Sequence, residues 1–533
     1  MKLFWKILAG LSVMLALLAA GVLAWMQSLA HDDGPARRPV YPHYAWPGPG
    51  IDGQSNTPRG GPVPRADGYV VGNKGTDTIL PPLPPERDTD IVRADNAAQW
   101  ASIKTCFWPG PKLRTGYYTT DPDDYAFENQ LPDTGNTFST AWFRIPAGAK
   151  IVLKGRFPHM RHWGFVTYTD AGIPRDSLSD LDIDPDPGSS NPFQAGVRRD
   201  VVARNYTITI ENGKPPAQRP RNTIYTLAEP GTAIGMHMRN YVPDQGQNWL
   251  GGVDLPAVEL HLADGQVLRD EEACAATAAP LRGKQVPITV SKKLWLALNS
   301  LPWRPADRTP ATDFNVIPMT RFYNREHLMV STFFPLLPSD WLAFEKGGFW
   351  SNPATRYGFT YLSQAYGKVY LARGKMPSTP VTFREPNAPM DPNADMRFWS
   401  MCTVMTPSSG NTVDCVHDEN VRPHLDKEGF FNVVVSRAAD RPANATERCG
   451  VVWMEYGNGD GIPGGSVDMG GIINRHTLVN PDFKHSWFNV EKVGSAEQVM
   501  GPYLPHVYNL RTKAKFEALG CPIDTSKLPS LPR

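Results

Sequence analysis

The residues best placed to do chemistry are four carboxylates at alternate positions, Asp180, Asp182, Asp184 and Asp186. On an extended segment alternate side chains share one face. Four negative charges held that close repel one another unless water or a cation separates them. Hard oxygen ligands in this number suit Ca²⁺, and Asn191 with backbone carbonyls could complete a shell of about six to eight. The spacing is not that of an EF-hand, because Gly188 falls one place late and no Glu stands at the twelfth position. A solvated acidic loop, paired with Arg175, Arg198 or Arg199, accounts for the same residues, and both readings stand.

Other constellations are weaker. His159, His162 and His237 lie near Met160, Met236 and Met238. Imidazole and thioether together would suit copper. However, His159 and His162 are three apart and face opposite sides of a regular strand. Asp414, His417, Asp418 and Glu419 cluster beside Cys415, as an active site or as the polar edge of a hairpin. There is no G-x-S-x-G elbow and no H-E-x-x-H, so the common nucleophile and zinc-hydrolase signatures are missing. Catalytic residues are left unassigned and no cofactor besides Ca²⁺ is expected. The run from Tyr241 to Trp249 reads as a long polar loop, with Tyr241, Asn248 and Trp249 as a candidate ligand rim.

The six cysteines are Cys106, Cys274, Cys402, Cys415, Cys449 and Cys521. None falls in a CxxC, so disulfides or free buried thiols are the two readings. Cys402 and Cys415 flank the turn signal Pro407-Ser408-Ser409-Gly410-Asn411 and are equidistant from its centre, which places them opposite each other in a hairpin. Of the pairings left to the other four, Cys106–Cys274 and Cys449–Cys521 keep each bond within one half and are the expected ones, while connectivity beyond Cys402–Cys415 stays open.

These residues need elements to hold them. The 533-residue chain is too long for one ordinary core. Its formal charge of +1 argues against a nucleic-acid partner. With 52 Pro and 46 Gly, the composition suits short strands joined by turns. Lys2 and Lys6 precede an apolar run from Ile7 to Met26, read as a transmembrane anchor or, with Ser28-Leu29-Ala30 as cleavage site, a signal peptide. Either reading exports the remainder to the periplasmic or extracellular side. Membrane contact through this segment is expected, beside a ligand that the sequence does not specify.

The body repeats itself. Lys150–Pro158 resembles Lys368–Pro377, and Met160-Arg161-His162-Trp163 resembles Met396-Arg397-Phe398-Trp399. Tyr206–Ile210 matches Phe431–Val435, and Arg219-Pro220-Arg221-Asn222 matches Arg441-Pro442-Ala443-Asn444. The hydrophobic strands Ala233–Met238 and Gly450–Met454 follow. This order implies a mainly β chain of tandem duplicated, antiparallel, jelly-roll-like sandwiches. The expected divisions are 1–30 signal or anchor, 31–98 proline-rich linker, 99–276 first sandwich, 277–350 helical segment, 351–485 second sandwich and 486–533 helical tail. Within these, Ser291–Leu301, Ser339–Glu345 and Ser495–Leu519 read as helices.

The runs Asp182–Phe193, Met396–Cys402 and Arg441–Thr446 resemble those of exported bacterial proteins that are uncharacterised. The first copy also resembles a β-sandwich domain of unknown function found at the end of many exported bacterial proteins. The resemblance implies fold and location, and no activity. Three functions follow as expectations: a non-catalytic binder of a ligand or partner in the cleft between copies, an exported hydrolase with its site in that cleft, or a structural subunit of an envelope assembly.

Overall fold

The computed structural model describes residues 105–108, 135–169, 172–279, 350–364, 366–405, 411–457, 469–491 and 495–529, with Leu131, Asp133 and a few shorter stretches. Two antiparallel strands, β1 (Tyr69–Asn73) and β2 (Thr76–Leu80), form a hairpin inside the proline-rich stretch.

The first sandwich is built from β3 (Pro111–Lys112), β4 (Asn136–Phe143), β5 (Lys150–Arg156), β6 (Met160–Tyr168), β7 (Pro174–Ser179), β8 (Asn205–Glu211), β9 (Thr223–Tyr225), β10 (Ile234–Pro243), β11 (Ala257–His261) and β12 (Val267–Arg269). They form sheets in the order β3-β4-β10-β6-β7 and β12-β11-β5-β8-β9. The second is built from β13 (Asn315–Val316), β14 (Thr355–Ser363), β15 (Val369–Lys375), β16 (Met396–Met405), β17 (Asn411–His417), β18 (Phe430–Ser436), β19 (Val452–Glu455), β20 (Met469–Val479) and β21 (His506–Asn509). Its orders are β13-β14-β20-β16-β17 and β19-β18-β15-β21. Set side by side, the second pair of sheets repeats the first strand for strand, apart from β12. Both outer sheets even contain one parallel pair, β8 with β9 and β18 with β19.

The sequence pattern explains the layers. In β8 the inward Tyr206, Ile208 and Ile210 are buried while Thr207 and Thr209 are half-buried, the alternation of a sheet with one dry face. Strands β4, β6 and β10 are buried at every position. One face of their sheet covers its own core, around Trp163, Ile208 and Met236. The other lies against the corresponding sheet of the second sandwich, where Tyr241 packs on Phe398 at 5.4 Å.

All three disulfides form as expected, Cys106–Cys274, Cys402–Cys415 and Cys449–Cys521, with no free cysteine among the described residues. Cys402 and Cys415 are direct register partners, 4.0 Å apart at Cα.

Several expectations need correction. No helix among the described residues is long and apolar enough to cross a membrane, so anchoring through Ile7–Met26 is unsupported; most of that run lies outside the described residues. Gly450–Met454 corresponds to β9, not to Ala233–Met238, whose counterpart in the sheet order is β20. The segment Ser495–Leu519 is not one helix. Gly501-Pro502 ends a five-residue helix, Ala496–Met500, and the chain then supplies β21, which pairs with β15 before the short helix Lys513–Glu517. Helices over Ser291–Leu301 and Ser339–Glu345 fall outside the described residues, and β13 is a short strand between them.

Candidate functional site

The chemistry-bearing residues gather in the seam between the two inner sheets. The repeated Met-Arg-x-Trp segments lie on β6 and β16, each beside the central strand of its sheet, which places Arg161 and Arg397 on the faces that meet. Arg161 is fully buried. Its guanidinium donates to Asp418 and Glu419 of the second sandwich, and its Nε to Thr382 Oγ1 at 2.9 Å. Arg397 crosses the other way. It donates to the carbonyl of Arg161 at 3.1 Å and lies 3.7 Å from Asp180 Oδ1 of the first sandwich. Burial lowers its pKa, against the pull of Asp180.

The carboxylates hold matching posts. Asp180 Oδ2 accepts from the backbone N–H of Trp163 at 2.9 Å, and Asp418 Oδ2 accepts from that of Trp399 at 3.2 Å. Asp180 also bonds His162 Nδ1 at 2.6 Å. The His162 ring leans on Tyr241 at 4.8 Å, while its counterpart Phe398 touches both Tyr241 and His417.

A second cluster surrounds Asp133, on the segment entering β4. Its carboxylate accepts from Ser400 Oγ and meets His417 Nε2 at 3.0 Å and Arg475 at 3.3 Å. Burial alone would raise its pKa, but His417 and Arg475 hold it down to about 2. Serine, histidine and aspartate are all present, yet the serine donates to the aspartate. Ser400 and His417 thus both face the aspartate, on its two oxygens, which differs from the serine–histidine–aspartate relay in which the serine donates to the histidine. The approach is tight at Gly135, where a Cβ would stand 2.4 Å from His417 Nε2.

The residues singled out from sequence take different places. Asp180–Asp182 is a 3-10 turn and not an extended run, so the four carboxylates do not share a face. Asp182 accepts from Ser179 N–H, Asp184 pairs with Arg221 at 2.9 Å, and Asp186 accepts from Thr207 at 3.2 Å. Tyr241 sits in β10, buried in the seam, with its hydroxyl accepting from Asn352 at 2.8 Å. Trp249 is buried in the core of the first sandwich, and Asn248 accepts from Leu250 and Gly252 N–H to shape its own turn. His237 lies apart from His162, stacked on Trp350 at 5.0 Å. Among the described residues, the one acidic and cysteine group close enough to ligate a metal is Asp133 with Cys402 and Cys415, and both sulfurs are held in a disulfide.

Sequence reasoning missed Arg161, Arg397, Asp133, Ser400 and Arg475 as members of one site. The repeat contained the signal for two of them, because an arginine kept beside the core tryptophan in both copies has no part in packing that tryptophan.

No family model matches the chain, and no curated protein does. Among solved structures it is similar to an uncharacterised protein from Burkholderia cenocepacia, with 13% identity and a TM-score of 0.36 over 76% of this chain and 81% of that one. It is also similar to a protein from Vibrio parahaemolyticus, with 12% identity and a TM-score of 0.31 over 72% of this chain and 90% of that one. These structural neighbours are uncharacterised bacterial proteins, and a likeness of this size assigns the chain no activity.

Proposed function

We propose that the chain is an exported, non-catalytic binding protein whose duplicated sandwiches work as one rigid unit. The observation that carries this reading is the seam. The cleft in which either a ligand or a substrate was expected is filled, among the described residues, by reciprocal ion pairs and buried rings. Ionised pairs buried this deeply set a unique docking of the two sheets better than they add stability. Partner binding is then a property of the outer surfaces. The three disulfides are compatible with an oxidising compartment and support export. Calcium is no part of the reading, because the four aspartates have separate protein partners.

The test is a turnover screen of the purified protein on esters, phosphomonoesters and glycosides, beside His162→Ala and His417→Ala. Background rates for all three proteins support a binder. Turnover lost in either variant would return the hydrolase reading. Export is tested separately, by thiol alkylation of protein made in the cytoplasm and in an oxidising compartment. Full protection of the cysteines only in the second is the expected result.

A further inference from the structure

The first half (105–279) and the second (β13 with 350–529) meet through contacts that correspond in the two directions. Arg161 reaches Asp418, and Arg397 at the matching place reaches Asp180. The segments before β4 and β14 are exchanged in the same way. The carbonyl of Leu131, from the first half, accepts from Arg475 of the second, and the carbonyl of Trp350, from the second, accepts from Arg239 of the first. Arg239 and Arg475 hold equivalent register positions, opposite Gly164 and Ser400. Leu131 and Trp350 also share an unusual left-handed backbone, φ 51° and 52°. Two residues on, Asp133 and Asn352 cap the next turn alike, accepting from Gly135 and Ala354 N–H.

Contacts in which residue i meets j and j meets i define an isologous interface. The first half offers that face to a second half, whether the second half belongs to its own chain or to another copy of it. Each disulfide closes within one half, and none crosses the seam. Residues 280–314 join Ala279 to β13, which is 314 − 280 + 1 = 35 residues. A chain of that length spans at most about 120 Å. The covalent tie between the halves is therefore this connection alone.

We propose that a second copy of this chain can take the place of either half. Two chains then exchange halves to form a dimer in which each seam joins the first half of one chain to the second half of the other. Every seam contact is kept, so monomer and dimer differ chiefly in the effective concentration that the connection provides. The proposal holds whether or not the protein is catalytic.

The test uses full-length chains carrying two different tags, mixed, opened in urea with disulfides intact and refolded over a range of concentrations. The expected result is a species of twice the 59.0 kDa chain mass that carries both tags, grows with concentration and persists on dilution. Absence of a mixed-tag dimer at every concentration overturns the proposal. A second pair of chains locates the contact: Arg161→Glu in one, and Asp418→Arg with Glu419→Arg in the other. Exchange restores one native and one charge-reversed seam, so refolding them together should give roughly tenfold more dimer than either alone. Equal dimer in the separate and mixed samples would place the contact elsewhere and overturn the proposal too. Should the variants fail to fold even together, the tagged native chains decide the matter.

Discussion

The two sandwiches share a strand order and differ in what covers their outer sheets. In the first, the outward residues are polar apart from a few such as Val152, which is buried among them. Lys154, His261 and Arg269 ring the carboxylate of Glu259 at 3.0, 2.9 and 3.2 Å, beside half-buried Thr207 and Thr209. In the second, the matching face is apolar. Val369, Leu371 and Val434 lie under Leu510, Phe516 and Leu519 of the C-terminal segment, which Cys521 fastens to Cys449. One strand pattern thus supports an open face or a roofed one, and the outward residues decide which. The inward residues are interchangeable in kind. Gly155 under Tyr206 and Gly374 under Phe431 make room for an aromatic ring in the same way in both copies.

The largest way to break this comparison is to lift the roof. Phe516→Ala should cost about 4 kcal/mol in urea unfolding, because Phe516 is fully buried and its loss leaves a cavity over the second outer sheet. A loss below about 1 kcal/mol would mean that the segment only rests there. The crossed arginines come next. Arg161→Ala leaves two buried carboxylates without their cation and should cost about 3 kcal/mol. Arg397→Ala should cost less, since Arg397 holds mainly backbone carbonyls and has its nearest carboxylate at 3.7 Å.

Acid separates the two exchanged segments, one carrying Asp133 and the other the neutral Asn352. The folded pKa of Asp133, about 2, lies below its ordinary 3.8. In that window the unfolded chain binds more protons, so stability is fully present above the unfolded pKa and is lost as pH falls toward 2. The loss should be about 2 kcal/mol, seen as a steep acid limb in the melting temperature that Asp133→Asn makes shallower. An unchanged limb would mean that the titration belongs to other groups. The smallest effects sharpen the outer-face comparison. Val434 and Thr209 hold equivalent places, opposite Leu371 and Val152. Val434→Thr buries a hydroxyl and should cost about 1–2 kcal/mol, whereas Thr209→Val should stay within about 0.5 kcal/mol. Equal costs would show that the first sheet is also covered.

What could be read in advance follows from the range of the interactions. The β class, the repeated strands and the Cys402–Cys415 pair rest on alternation and on a turn between two symmetric positions, both local properties. The other two disulfides were expected only as the pairing that keeps each bond within one half, and the fold bears that pairing out. Asp180 shows the opposite case. Its neighbours in sequence imply a charged loop, but a Ser-Asp turn rotates it inward, where His162 and Trp163 claim it. Tyr241 and Trp249 read as a rim because Pro and Gly surround them, yet β10 runs on through Tyr241 and the core takes Trp249.

The β strands, the recurrence of their pattern and the Cys402–Cys415 pair were legible in the sequence, because these depend on side-chain period and turn chemistry within short stretches. Cys106–Cys274 and Cys449–Cys521 instead close over separations of 168 and 72 residues that the fold had to bring together. Only the tertiary structure decided that Arg161 meets Asp418 and Glu419, 257 and 258 residues away, and that Asp133 stands among Ser400, His417 and Arg475. An ion pair of this kind leaves no periodic trace. It exists because two sheets, each with a dry outer face, exclude water from the same charges, and each buried charge then requires its partner from the other half.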